Sequence, residues 1–132
     1  MYLLCVLALG RWDSGGPRRV PVNGTFEYNG SPLTSGSVVF VPVDSNTGHS
    51  ARGMINSDSR FELTTFDDGD GAVPGEYKVT VFSYDGMRDV PGSPFQAVGP
   101  SLIPERYNDT NTTDLQQTVS EKRMTVKLEL KD

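Results

Sequence analysis

The sequence predicts an all-β fold, a seven-stranded antiparallel Greek-key sandwich, and three observations predict it. First, the stretch 71–85 alternates cleanly after a Pro-Gly turn. Tyr77, Val79, Val81 and Ser83 fall on one face of an extended chain, and Glu76, Lys78, Thr80 and Phe82 on the other. That is the pattern of a sheet with one face buried. Second, 14 glycines and 9 prolines in 132 residues place turn signals at short intervals, which suits short strands better than long helices. Third, six further strand-like segments can be counted along the chain, and turns spaced this closely argue for a sandwich.

The run Met1 to Gly10 is apolar throughout but too short to span a bilayer, which needs about 20 residues. It reads as the core of a secretory signal lacking the usual positive start. Trp12-Asp-Ser-Gly-Gly-Pro17 follows as a flexible connector, so 1–19 is expected to be leader and tether and 20–132 one sandwich domain. Leu7-Ala8-Leu9-Gly10 followed by Ser14-Gly15-Gly16-Pro17 resembles a bacterial lipoprotein signal. The expected cysteine position is occupied by Arg11 or Trp12, and Cys5 is too close to the start.

Residues 20–28 form the first expected strand, with Val20, Val22, Phe26 and Tyr28 on one face, and Asn29-Gly30 is a hairpin signal. Residues 36–44, rich in β-branched side chains, form the second, and Pro42 points to an edge or bulge. Residues 50–56 and 60–66 follow, the latter with Phe61 and Leu63 inward. After the central strand, 86–112 carries Pro91, Pro94, Pro100 and Pro104 without a strand signal, and a connection of this length is expected to be a functional or mobile loop. Segments 114–119 and 123–130 close the domain; Met124, Val126, Leu128 and Leu130 alternate with Thr125, Lys127 and Glu129.

Composition excludes some functions. With 17 acidic against 12 basic residues, net charge −5 and the basic residues scattered, the field needed to hold a nucleic-acid backbone is absent. Arg18 and Arg19, the one local basic pair, read as solvated linker charge. The single cysteine, Cys5, allows neither an intradomain disulfide nor a cysteine metal site.

Val22-Asn23-Gly24-Thr25, Asn29-Gly30-Ser31-Pro32-Leu33, Gly36-Ser37-Val38-Val39-Phe40, Ser57-Asp58-Ser59-Arg60-Phe61 and Pro74-Gly75-Glu76-Tyr77-Lys78-Val79 occur in an order that resembles the carboxypeptidase regulatory-like, transthyretin-related β-sandwich. The resemblance covers 20–130 and implies a prealbumin-like or immunoglobulin-like arrangement. With Ile103-Pro104-Glu105-Arg106-Tyr107, the chain is similar to small exported proteins of planctomycete-type bacteria. The resemblance implies a compartment and a fold rather than an activity. Hydroxyisourate hydrolase, an enzyme among the transthyretin relatives, uses histidines, an arginine and a C-terminal Tyr-Arg-Gly-Ser segment. This chain has only His49 and ends in Lys127-Leu-Glu-Leu-Lys-Asp132.

No catalytic residue is expected, because a general acid or base needs a positioned partner and His49 has no second histidine to work with. Nor is there a nucleophile elbow around any serine. Asp67, Asp68 and Asp70, interleaved with glycine, are weak calcium candidates: oxygen ligands suit that cation, but Lys78 or Val79 stands where a calcium loop needs its bidentate glutamate. No cofactor is expected. The functional expectation is a non-enzymatic, exported accessory or interaction module at the periplasmic side or surface of the cell envelope, with a protein or glycan partner, no nucleic acid and a membrane tether through the N-terminus. The alternative is a carbohydrate- or calcium-binding sandwich using the acidic turn and the 86–112 loop.

Overall fold

The stretch that alternates most cleanly in the sequence becomes the longest strand. In the computed structural model, which describes residues 17–44 and 48–132, it is β6, Gly75–Phe82. Before it come β1 (Val22–Tyr28), β2 (Ser31–Pro32), β3 (Ser37–Pro42), β4 (Ala51–Met54) and β5 (Arg60–Glu62). After it come β7 (Met87–Asp89), β8 (Gln96–Val98), a 3-10 turn at Glu105–Asn108, β9 (Gln116–Val119) and β10 (Met124–Leu130). The leader assigned to 1–10 and most of the 1–19 tether lie outside the described residues.

Two main sheets pack face to face. One runs β4-β3-β6-β9 and is antiparallel throughout. The other is centred on β1, with β10 along one side and β2 and β5 sharing the other. A separate ribbon, β7-β8, stands apart. Each of the seven expected strands has a counterpart, but the count among the described residues is ten strands in three sheets. Nor is the pairing wholly antiparallel, since β1 and β10 run parallel over their full seven-residue length. The parallel pair arises because β10 enters from the opposite sheet and meets β1 from the same end.

Inward side chains build one core. Phe26 meets Phe61 with ring centroids 5.1 Å apart, Phe61 meets Phe40 at 6.3 Å, and Phe40 meets Tyr77 at 5.8 Å, so a file of tilted aromatics crosses from one sheet to the other. Val38, Val79, Val81, Leu63, Val126, Leu128 and Leu130 pack around it. Gly24 faces this core because nothing larger fits: a Cβ there would stand 2.7 Å from Cγ2 of Val126 and 2.8 Å from the Phe61 ring. The Tyr77 ring is buried and its hydroxyl donates to the Val73 carbonyl, as a buried tyrosine requires. Pro42 lies beyond the last β3–β4 pair, Phe40 with Ala51, so its missing N–H faces no strand.

Local turn chemistry follows the sequence. Asn29 and Gly30 both take positive φ (51° and 84°), the geometry of a primed hairpin turn between β1 and β2. The Asn56 side chain accepts from the N–H of Asp58 at 2.9 Å and of Arg60 at 3.0 Å, and buried Ser59, at φ 63°, donates its hydroxyl to the Phe26 carbonyl.

The segment 86–112 is not the strandless loop the prolines predict. It holds the β7–β8 ribbon and the 3-10 turn, whose Tyr107 is fully buried. The Tyr107 hydroxyl accepts from the Lys131 N–H at 2.8 Å, and Arg106 stacks on its ring at 4.5 Å, so Ile103 to Tyr107 straps the sandwich end to the terminus of β10.

Arg19 also departs from expectation. Its side chain is only 14% exposed, bonded to Asp70 at 3.0 Å and set over the Phe66 ring at 4.9 Å, so it anchors the domain rather than lying in a solvated linker.

Tyr77→Ala is expected to cost about 3–5 kcal/mol, the range for removing a buried aromatic. Lys78, on the opposite face, donates to the Thr110 carbonyl at 3.2 Å, and Lys78→Ala is expected to cost about 1 kcal/mol. A larger loss for Lys78→Ala than for Tyr77→Ala in denaturant melts would mean that the two faces of β6 are exchanged, and equal losses that Tyr77 is not the buried anchor.

Candidate functional site

The outer faces of the two sheets are continuous around one corner. Arg52 of β4 and Thr64, just after β5, exchange backbone bonds of 2.9 and 2.8 Å, and the Asn56 N–H donates to the Arg60 carbonyl at 2.9 Å. This register sets Met54 opposite Glu62. With Ser37 opposite Met54, Glu62 opposite Asn23 and Asn23 opposite Thr125, one row of outward side chains crosses β3, β4, β5, β1 and β10. Gly53 makes the corner, since a Cβ there would stand 2.7 Å from the Glu62 carbonyl oxygen.

This surface is a groove of about 1110 Å³, with Ser37, Arg52, Met54, Asn56, Arg60, Glu62, Asp68, Asn23, Thr25 and Thr125 among its walls. Small-molecule pockets run to roughly 1,000 Å³ and are mostly apolar. The groove is slightly larger and open, and ten of its sixteen lining residues carry polar side chains beside a comparable area of apolar surface. Among the described residues, the guanidinium groups of Arg52 and Arg60 make no ion pair or hydrogen bond, while Thr125 Oγ1 donates to Asn23 Oδ1 at 3.0 Å. The sequence-based candidates did not include these residues. The alternation that marks their neighbours as core also places them outward, but the pairing of β4 with β5 that brings them together is a tertiary event.

The acidic turn is built differently from a cation site. Asp70 is 13% exposed rather than solvated, and its carboxylate accepts the N–H groups of Thr65 at 2.8 Å, Asp67 at 3.0 Å and Phe66 at 3.2 Å, besides Arg19. Asp67 is exposed and pairs with Arg19 at 3.4 Å, while Asp68 turns to the groove wall. The three candidate calcium ligands therefore do not converge, and among the described residues no three metal-ligating side chains do. The exposed His49 ring sits edge-on to Phe66, with centroids 5.0 Å apart, and shares that ring with Arg19. A second surface feature is the β7–β8 ribbon, where Met87, Val90, Phe95 and Val98 are exposed, Phe95 at 75%.

Burial works against the charged form of Asp70, but the three N–H groups and Arg19 outweigh it and hold the carboxyl below its usual value. A folded-state value below the unfolded one, about 3.9, contributes stability that is fully present above that pH and lost as pH falls through the folded value. Asp70→Asn is thus expected to cost about 2 kcal/mol at neutral pH. The gap from wild type should close in melts taken at progressively lower pH below about 4. A gap independent of pH would mean that the charge plays no part.

No family model matches the chain, and no curated protein matches it. Among solved structures, a 9R-lipoxygenase from Cyanothece PCC8801 is similar over 83% of this chain at 16% identity, with a TM-score of 0.37. The chain spans about 16% of that enzyme's length, and a likeness of this size carries no argument about fold or activity.

Proposed function

We propose that the chain is a non-enzymatic, exported interaction module of the bacterial cell envelope, and that the groove across the sheet corner is its binding face. The observation that carries this reading is the groove: five strands present a row of outward side chains, polar except for Met54, with two arginines flanking it and no hydrogen bond to either guanidinium among the described residues. An array of donors and acceptors on rigid strands is suited to holding a partner. His49, set against Phe66, and Asp70, occupied by backbone donors, are placed for structure. Export rests on the apolar run 1–10, and the same end would supply the membrane tether.

The strand order supports a finer reading of the architecture, in which β1, β3, β4, β5, β6, β9 and β10 form a seven-stranded Greek-key body and β2, β7 and β8 are additions to it. It also supports kinship with the carboxypeptidase regulatory-like, transthyretin-related sandwiches. Four of the six motifs behind that resemblance have a structural role, in the Asn29-Gly30 turn, the Ser59 corner, the buried Tyr77 after Pro74-Gly75, and the Tyr107 strap.

Sedimentation of the purified chain with isolated envelopes of its source cells tests the reading. Wild type is expected to co-sediment, and Arg52→Glu with Arg60→Glu, both on exposed positions, to abolish it while leaving the melt unchanged. Retained binding by that double variant, or absence of binding by wild type, would overturn the assignment of the groove. Turnover of hydroxyisourate by the purified chain would overturn the non-enzymatic reading.

A further inference from the structure

We infer that the ligand of the groove is a neutral, extended glycan lying across the strands along the row Ser37, Met54, Glu62, Asn23 and Thr125. This inference rests on the reading of the groove as the binding face. Three features carry it.

The first is charge. Arg52 and Arg60 line the groove together with Glu62 and Asp68, so the wall charges balance, while the chain as a whole carries −5. A polyanion gains nothing from a balanced wall and is repelled by the net charge. A balanced set of donors and acceptors matches hydroxyl groups, which both give and accept hydrogen bonds. Arg52, Arg60, Asn23 and Asn56 supply donors, Glu62 and Asp68 supply acceptors, Thr25 and Ser37 supply both, and Thr125, whose hydroxyl already donates to Asn23, supplies an acceptor.

The second is the kind of contact on offer. The row runs over strand faces: at its Ser37 and Asn23 positions the strands are laddered on both sides, β3 with β4 and β6, and β1 with β10 and β5, and only β10, at the Thr125 end, has an open sheet edge. A peptide recognised by strand addition needs free main-chain groups at a sheet edge. A ligand lying across the strands, rather than along the β10 edge, is met by side chains. Met54, 73% exposed, and half-buried Val39 give the apolar contact that the C–H face of a sugar ring requires.

The third is dimension. Within each ladder the row steps from strand to strand at ~4.8 Å, close to the length of one sugar unit in an extended chain, and its four steps follow a path of about 19 Å around the corner. With a volume of about 1110 Å³ the groove exceeds what a monosaccharide would fill. The ligand is then an oligosaccharide of about four or five units, one per strand crossed.

Calorimetric titration of the full chain with neutral β-1,4-linked gluco-oligosaccharides of increasing length tests this, with galacturonate oligomers of equal length as the anionic arm. Affinity is expected to rise with length and level off near about four or five units. It should stay flat from about 50 to about 500 mM salt, because a neutral ligand has no charge to screen. Asn23→Ala and Arg60→Ala should each weaken binding about tenfold, the effect of one lost hydrogen bond to a polar or charged group. Tighter binding of the galacturonate arm, with steep salt dependence, would overturn the inference. So would neutral binding that is unaffected by either substitution, or no binding of either series. If neither series binds but groove-dependent sedimentation with envelopes persists, the glycan assignment falls and the interaction-module reading stands.

Discussion

The close approach of Gly53 to the Glu62 carbonyl is the constraint on which the binding face depends. Two sheets packed face to face ordinarily present separate outer surfaces. Here the reciprocal bonds between Arg52 and Thr64 join β4 to β5, and the outer faces of β3 and β1 become parts of one surface. The join requires the two backbones to meet at a distance that leaves no room for a side chain, and Gly53 meets that requirement. A larger residue at this position would part the strands and separate Met54 from Glu62, dividing the row in two.

The opposite side of the same strands holds the corner in register. Gly24 admits the Phe61 ring against Val126, and Phe61 in turn touches Phe26 and Phe40, so one aromatic side chain ties β5 to strands of both sheets. Because side chains alternate with a period of two, any slip that moved Glu62 out of the row would also turn Phe61 into water. Loss of a buried phenylalanine costs about 3–5 kcal/mol, a large part of a domain's net stability. The placement of the polar row is therefore enforced by the apolar core behind it.

Much of the strand layout was legible because it is written in local chemistry. Alternation fixes which side chains are buried in 124–130, and in 75–82 it does so except at Thr80, which is buried on the face opposite Tyr77; the Asn29-Gly30 pair fixes a turn, with no reference to the rest of the chain. What escaped depends on distant partners. Arg19 looks like linker charge until the acidic turn, about fifty residues later, closes on it with Asp70. Asp70 resembles a metal ligand in composition, yet its oxygens are taken by the N–H groups of its own turn. The segment 86–112 carries proline enough to hide its strands, and Tyr107 reveals itself as core only when Lys131 arrives to bond its hydroxyl. The groove belongs to this second kind: each residue of the row reads simply as outward on its own strand, and the row exists only across five strands.

The strap and the Arg19 anchor bear on the groove through rigidity. Arg19 ties the start of the domain to the turn that follows β5, and Tyr107 with Arg106 ties 103–107 to the end of β10. Both flanks of the sheet containing Asn23, Glu62 and Thr125 are thereby fastened, one by a charge-assisted hydrogen bond and the other by a partly buried one. Side chains carried on strands fixed in this way lose less freedom when a partner arrives than side chains on a mobile loop. That compensates for what the groove lacks, since its walls include no aromatic platform beyond the edge of buried Phe61, and hydrogen bonds to hydroxyl groups are individually modest in water. Affinity in such a site comes from many weak contacts held in register, which is the arrangement that a row crossing five strands provides.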